Sequence, residues 1–204
     1  MIEVKEMLRK DANKIIKAHH YSGTTCFGTK VSLGIYYRGI LCGVAQFGTG
    51  INPPGTCKWV EGSTIDDYME FNRMWLSDVA PKNSESQAIG QIFKWFRKNR
   101  PDIKWIISFA DGIMGKVGTI YQATNWIYTG YNERCRMWIT KDGDRMHHTT
   151  VVARNPNTKR ETLEANYGTP LYSVEGGQFR YIYFLDKRWR KRLTVAPQSY
   201  PKQS

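Results

Sequence analysis

The sequence predicts a mixed α/β fold in a single domain. Three observations carry that prediction: amphipathic stretches of helical period alternate with short β-rich runs, one apolar run is unbroken as a strand covered on both faces must be, and Gly, Pro and Asn punctuate the joins. At 204 residues and 41% hydrophobic, the chain is long enough to bury one substantial core.

The elements follow in order. Val4, Met7, Leu8, Ala12, Ile15 and Ile16 recur at helical spacing among charged residues and predict an opening helix. It ends near "AHHYSG", where Gly23 supplies a left-handed cap; His19 continues the apolar stripe, whereas His20 and Tyr21 leave it. "VSLGIYYRG" and "ILCGVAQFGTG" predict an antiparallel hairpin turning at Arg38 and Gly39, and "INPPGTCKWVEGST" a loop. "YMEFNRMWL" alternates as a strand does, with Arg73 on its otherwise apolar side. After Pro81, Ser84 with Gln87 reads as a capping box, and Ile89, Ile92, Phe93 and Phe96 as the buried stripe of the helix it starts. "IKWIISFA" is the covered strand, followed by a short helix around Tyr121 and an aromatic strand. Beyond Arg134, strands are expected at "RMWIT", "TTVVAR" and "FRYIYFLD", separated by polar segments. Residues 193–204 read as a loose tail, which confines the domain to 1–192.

Charge narrows the function. Thirty Lys and Arg against 18 Asp and Glu give a net charge of +12, which favours an anionic partner, double-stranded DNA first among them. The basic segments "KWFRKNR", "RNPNTKR" and "KRWRKR" are candidates to hold phosphates, each with a solvated face as its plain alternative. Cys26, Cys42, Cys57 and Cys135 form no C-x-x-C pair, which argues against a zinc ribbon or a disulfide framework and for a reduced, cytoplasmic setting. No apolar run approaches the ~20 residues of a membrane-spanning helix. Monomer and homodimer both stay open.

Particular residues suggest chemistry, each beside a structural alternative. Asp111 falls where the covered strand emerges, at the edge where open α/β sheets gather ligands; it would accept a proton, hold a metal, or simply form an Asx turn with Gly112. Tyr121 is a general acid or a core tyrosine with one satisfied hydroxyl. His20 and Tyr21 follow a helix C-terminus, where a capping role competes with a place in the site. His20, Tyr21 and Asp111 together would suit iron better than zinc, because oxygen ligands dominate the set. Ser84 and Ser86 of "NSES" mark either an anion cradle at a helix start or a plain cap. Arg73 is costly to bury unpaired, so it must meet a carboxylate, Asp111 being one candidate, or a ligand phosphate.

Two resemblances add to this reading. The element order, with "GTIYQATNWIYTG", resembles the acetyltransferase fold of the GNAT superfamily, where Tyr121, Asn125 and Trp126 stand at a matching helix-to-strand element. It implies a central mixed β-sheet flanked by helices, with acetyl-CoA or another donor as cofactor; the superfamily's Gln/Arg-x-x-Gly-x-Gly/Ala turn is replaced by "QAIGQI", with Ile92 where a small residue belongs. More narrowly, "HHYSG", "FNRMWLSDVAPKNSES" and "SFADGIMGKVGTIYQATNWIYTG" in this order resemble the Mom family of Mu-like phage DNA-modification proteins, over residues 15 to 131. That resemblance implies conversion of adenine in DNA to its N6-carbamoylmethyl derivative, which protects phage DNA from host restriction. It implies Asp111, Tyr121, His20, Tyr21 and Arg73 as catalytic and Ser84 and Ser86 as cofactor-binding residues, to which the acetyltransferase resemblance adds Asn125. An acyl-CoA N-acetyltransferase of a small amine or protein, and a non-catalytic basic DNA-binding protein, are the competing functions.

Overall fold

The computed structural model describes residues 1–26, 28–155, 157 and 159–202. Its contacts divide the chain into two compact units, Met1–Phe109 with Gly118–Gly130 and Arg180–Tyr200, and Ala110–Val117 with Tyr131–Phe179 and Pro201–Ser204.

The first unit is built on strands β1 (Ile2–Glu6), β2 (Thr29–Tyr37), β3 (Ile40–Gly48), β4 (Tyr68–Leu76) and β5 (Trp105–Asp111), with parts of β6 (Ile127–Thr140) and β8 (Leu171–Phe184), in the order β1-β2-β3-β4-β5-β8-β6. β1 to β4 pair antiparallel and β4 pairs β5 in parallel, so the sheet is mixed. The hairpin turns where the sequence predicts: Arg38 and Gly39 both have positive φ, 51° and 80°, as a tight turn matched to strand twist requires.

β1 corrects the expected helix start. Val4 pairs with Ile35, and Ile2 is buried while Glu3 and Lys5 are exposed, a period of two too short to separate by pattern from the helix beyond it. Helix α1 therefore covers only Arg9–His19, burying Ala12 and Ile16 against Val44. The expected loop after β3 contains a short helix, α2 (Pro53–Cys57), whose start Asn52 caps by accepting a hydrogen bond from Gly55 N at 3.1 Å.

Helix α3 (Ser84–Asn99) buries Ala88, Ile89, Ile92, Phe93 and Phe96, the stripe the sequence predicts. The capping box is not formed. Asn83, at φ 67°, precedes the helix, so Ser84 is already inside the first turn, buried, and Ser86 Oγ donates back to Asn83 O. β5 is covered as expected, with Trp105, Ile106, Ile107 and Ser108 all fully buried. Helix α4 (Thr119–Gln122) follows a left-handed Gly118, where a Cβ would overlap the Tyr181 ring.

The stretch expected to be a loose tail is fastened as far as Tyr200. Leu193 packs against the cluster of Val60, Tyr68, Trp105, Ile107, Ile182 and Phe184. Thr194 N donates to Trp59 O, Gln198 N to Tyr128 O, and Tyr200 Oη to Trp126 O at 2.7 Å. One apolar anchor and a series of backbone bonds outweigh the turn-forming composition that suggested looseness.

The second unit holds β7 (Arg145–His147), which pairs antiparallel with β6, and helices α5 (His148–Arg154) and α6 (Arg160–Tyr167). Here "TTVVAR" is helical, against the strand its β-branched residues predict: Val151 is buried with Trp138, Leu163 and Leu171, and that packing overrides local propensity. Cys26, Cys42 and Cys57 are free thiols. Among the described residues no helix is long and apolar enough to cross a membrane.

Candidate active site

β4 is a central strand. It lies between β3 and β5 in the sheet, and its Glu70, Asn72 and Arg73 are each half-buried. Its parallel ladder with β5 runs Tyr68↔Trp105, Met69↔Ile106 and Glu70↔Ile107, then stops although both strands continue. On the other side, its register with β3 jumps from Gln46↔Arg73 to Phe47↔Phe71, leaving Asn72 as a bulge. Bulges re-aim side chains, and sheets concentrate them beside active sites.

The parted strands carry a set of polar groups. Ser108 Oγ donates to Phe71 O at 2.9 Å and shares a 2.7 Å hydrogen bond with Tyr121 Oη. Because a carbonyl only accepts, the single serine proton is committed to Phe71 and the Tyr121 hydroxyl donates to Ser108. The lone pairs of Tyr121 Oη are thereby left to receive a donor. Burial pushes the Tyr121 phenol up to about 12, and the neighbouring Tyr21, Glu70 and Tyr181 push the same way. At neutral pH it is a hydroxyl, not a phenolate.

Glu70 is the residue that sequence reasoning missed. Its carboxylate accepts from Asn72 Nδ2 at 2.8 Å and lies against Gly50, where any Cβ would overlap Oε2. Burial raises its proton affinity, partly offset by the Asn72 hydrogen bond and by Arg73. The available signal was its place near Asn72 and Arg73 in "EFNR", three residues before the only Arg on the apolar side of the strand.

Arg73 donates from Nη1 to Asn72 O at 2.8 Å, while its Nε is buried without a hydrogen-bond partner. Asn72 Oδ1 and, directly across the ladder, Gln46 Oε1 are likewise buried and unpaired. Each costs of order 1–3 kcal/mol if left so. Arg73 also lies close enough to Cys26 to lower its thiol against the upward push of burial. Glu70 is thus a carboxylate that feels the Arg73 charge, beside the Asp111 that the sequence suggested.

The other expected site residues are placed as follows. Tyr21, half exposed, is close enough to influence Tyr121, and its ring lies 4.3 Å from that of His20. His20 ends α1: its backbone N–H donates to Ile16 O, and its Nδ1 is 2.8 Å from Ser22 Oγ. His19 stacks on Trp75 at 4.4 Å, the packing role the apolar stripe implied. Asp111 belongs to the second unit, where its carboxylate accepts from Ile113 N at 3.1 Å and caps the turn Gly112–Met114. That is the Asx turn foreseen as its plain alternative. Asn125, at φ 61°, lines a cleft of about 300 Å³ with Trp126, Tyr128, Gln198 and Tyr200.

Two cofactor expectations concern the start of α3 and a metal. At the start of α3, Ser84 N donates to Pro81 O, Gln87 N donates to Asn83 O, and the Glu85 carboxylate repels an anion. Among the described residues no three His, Cys, Asp or Glu side chains gather to hold a metal, and the iron expectation gains no support.

The mixed sheet, whose strands β4 and β5 part beside a phenol, a carboxylate and a guanidinium, has the GNAT acetyltransferase fold. The fold is shared with AAC(6')-Ib, an aminoglycoside acetyltransferase: its complex with paromomycin and acetyl-CoA superposes with a TM-score of 0.52 at 10% identity, covering 95% of this chain and 98% of that one. Its complex with ribostamycin and coenzyme A gives a TM-score of 0.50 at 11% identity over the same shares. The chain belongs to the Mom protein family, whose model matches residues 1–202. It is 37% identical over 195 residues to methylcarbamoylase mom of Escherichia phage Mu, covering 94% of this chain and 80% of that protein.

Proposed function

We propose that this chain is a DNA-modifying transferase that attaches a carbamoylmethyl group to the exocyclic N6 of adenine in duplex DNA. The observation that carries the reading is identity with the phage Mu methylcarbamoylase along nearly the whole chain; the buried polar set on β4 supports it. The target amine is conjugated with the purine ring and paired inside the helix. The enzyme must therefore extrude the base, at a cost of a few kcal/mol, and then relieve the amine of a proton as it attacks.

In this reading the amine nitrogen attacks the electrophilic carbon of an activated carbamoylmethyl donor. The new carbon–nitrogen bond forms as the donor's bond to its leaving group breaks, the electron pair departing with the leaving group. Glu70 takes the N6 proton, since its raised proton affinity brings it nearer to a working base than an exposed carboxylate. Tyr121, its own proton held by Ser108, accepts the second N6–H and fixes the amine's direction. Arg73 steadies negative charge on the donor. The family motifs also mark Asp111, His20 and Tyr21.

The test is mass spectrometry of nucleosides from DNA of cells expressing the protein. A carbamoylmethyl mass gain on deoxyadenosine is the expected result; unmodified nucleosides beside tight DNA binding would favour a non-catalytic binder, and an acetylated amine or protein an ordinary acetyltransferase.

A further inference from the structure

The sequence offers three basic segments to DNA, and the structure separates them. On α3, Arg97 donates to Leu185 O at 3.1 Å and to Tyr183 Oη, and Arg100 is paired with Asp102, so half of that run is spent on the fold. In the second unit, Arg160 is tied to Glu164 at 2.9 Å. The remaining segment, Lys187–Arg192, is a 3-10 helix capped by Asp186, whose carboxylate accepts from Arg188 N and pairs with the Arg188 guanidinium at 2.7 Å. Lys187, Arg190 and Lys191 have no acidic partner among the described residues.

These cations are rigidly mounted. Trp189 and Leu193 pack against the apolar cluster around Trp105, Leu193 bridges Val60, and Arg192 lies over the Trp189 ring at 4.3 Å. An open trough of about 570 Å³ runs along Lys187, Arg188, Arg190 and Lys191. Arg190 also forms one wall of the cleft lined by Asn125, Trp126, Tyr128 and Tyr200. From that cleft, ring contacts lead through Tyr128 and Tyr181 to Tyr121, at 5.3 and 5.2 Å. Cations held in place without counter-charges, on the same unit as Tyr121 and joined to it by packed rings, match a polyanion better than a single small anion.

We propose that the Lys187–Arg192 turn is the phosphate-binding edge of the protein, holding the backbone of duplex DNA through Lys187, Arg190 and Lys191. This rests on the proposed DNA substrate and says where the duplex lies. Binding here is independent of base sequence and is dominated by counterion release.

The experiment is fluorescence anisotropy with a short labelled duplex across a salt series, using the full chain and a Lys187→Ala, Arg190→Ala, Lys191→Ala triple variant. Three lost contacts remove ~2.7 from the log–log salt slope, so between about 50 and about 200 mM salt the wild type loses roughly 40-fold more affinity than the variant. Lys191→Ala alone removes ~0.9 of slope, or roughly 3.5-fold over the same range, and guards against misfolding of the triple variant. Lys10→Ala, Lys14→Ala and Lys17→Ala on α1 together leave the slope unchanged. A triple variant with the wild-type slope, or an α1 variant that loses as much, overturns the assignment of this edge while leaving the DNA substrate intact. A wild type that fails to bind duplex overturns the substrate reading first.

Discussion

The rim of β4 and the turn at 187–192 both carry concentrated polar character, and they handle it in opposite ways. On β4, Glu70, Asn72 and Arg73 are half-buried, and the buried Asn72 Oδ1 and Arg73 Nε go without partners. At 187–192, the cations stand in solvent on a turn whose aromatic and aliphatic residues are pinned beneath them. Desolvation makes a few groups reactive and costly; exposure makes many groups cheap and individually weak. The first arrangement suits bond-making at one atom. The second suits holding a charged polymer.

The largest effect that would sharpen this contrast is expected from Glu70→Gln, which keeps the shape and the Asn72 contact but cannot take a proton. Modification of deoxyadenosine should fall by about 10²–10⁴-fold, with duplex affinity unchanged. Full activity in that variant would return the base to Asp111. Tyr121→Phe comes next. It removes one hydrogen bond to Ser108 but leaves Ser108 bonded to Phe71 O, so the expected stability loss is about 1 kcal/mol by chemical denaturation, alongside a drop in modification of roughly tenfold or more.

A third expectation concerns pH. Glu70 has a raised proton affinity in the fold, so the native state binds its proton more tightly than the unfolded chain does. Its contribution is fully present below the unfolded value of ~4.3 and is lost as pH rises through the higher folded value. The melting temperature of Glu70→Gln measured against pH should lack that decline, and coincident wild-type and variant profiles would show Glu70 to be solvated. The smallest effect belongs to Lys94→Ala with Lys98→Ala on α3, where the salt slope of DNA binding should change by less than one phosphate contact, ~0.9. A larger change would place α3 on the duplex and blur the distinction between the two regions.

Legibility in the sequence followed the strength of local signals. The hairpin at Arg38 and Gly39, the strand 68–76, the buried stripe of α3 and the covered strand ending at Asp111 could all be read, since turn chemistry and long periodic patterns are local. β1 and α5 could not. Five residues of alternation before a helix resemble its first turn, and "TTVVAR" becomes helical only because Val151 has Trp138 and Leu163 to pack against. Among site residues, Tyr121 and Arg73 were identifiable as a helical phenol after a covered strand and an arginine on an apolar face. Glu70 was not, because its place on the polar side of an alternating strand reads as solvent until the fold brings Gly50 against its carboxylate.

By itself the sequence determined the mixed α/β class, the basic character that calls for an anionic partner, and the family motifs, because composition and short-range order are written residue by residue. Only the tertiary structure decided which carboxylate is drawn from water, which hydroxyl keeps its lone pairs free, and which of three basic runs keeps most of its cations unspent. Those are questions of what lies across from each group in space, and pairing between distant strands leaves no trace in the order of neighbouring residues.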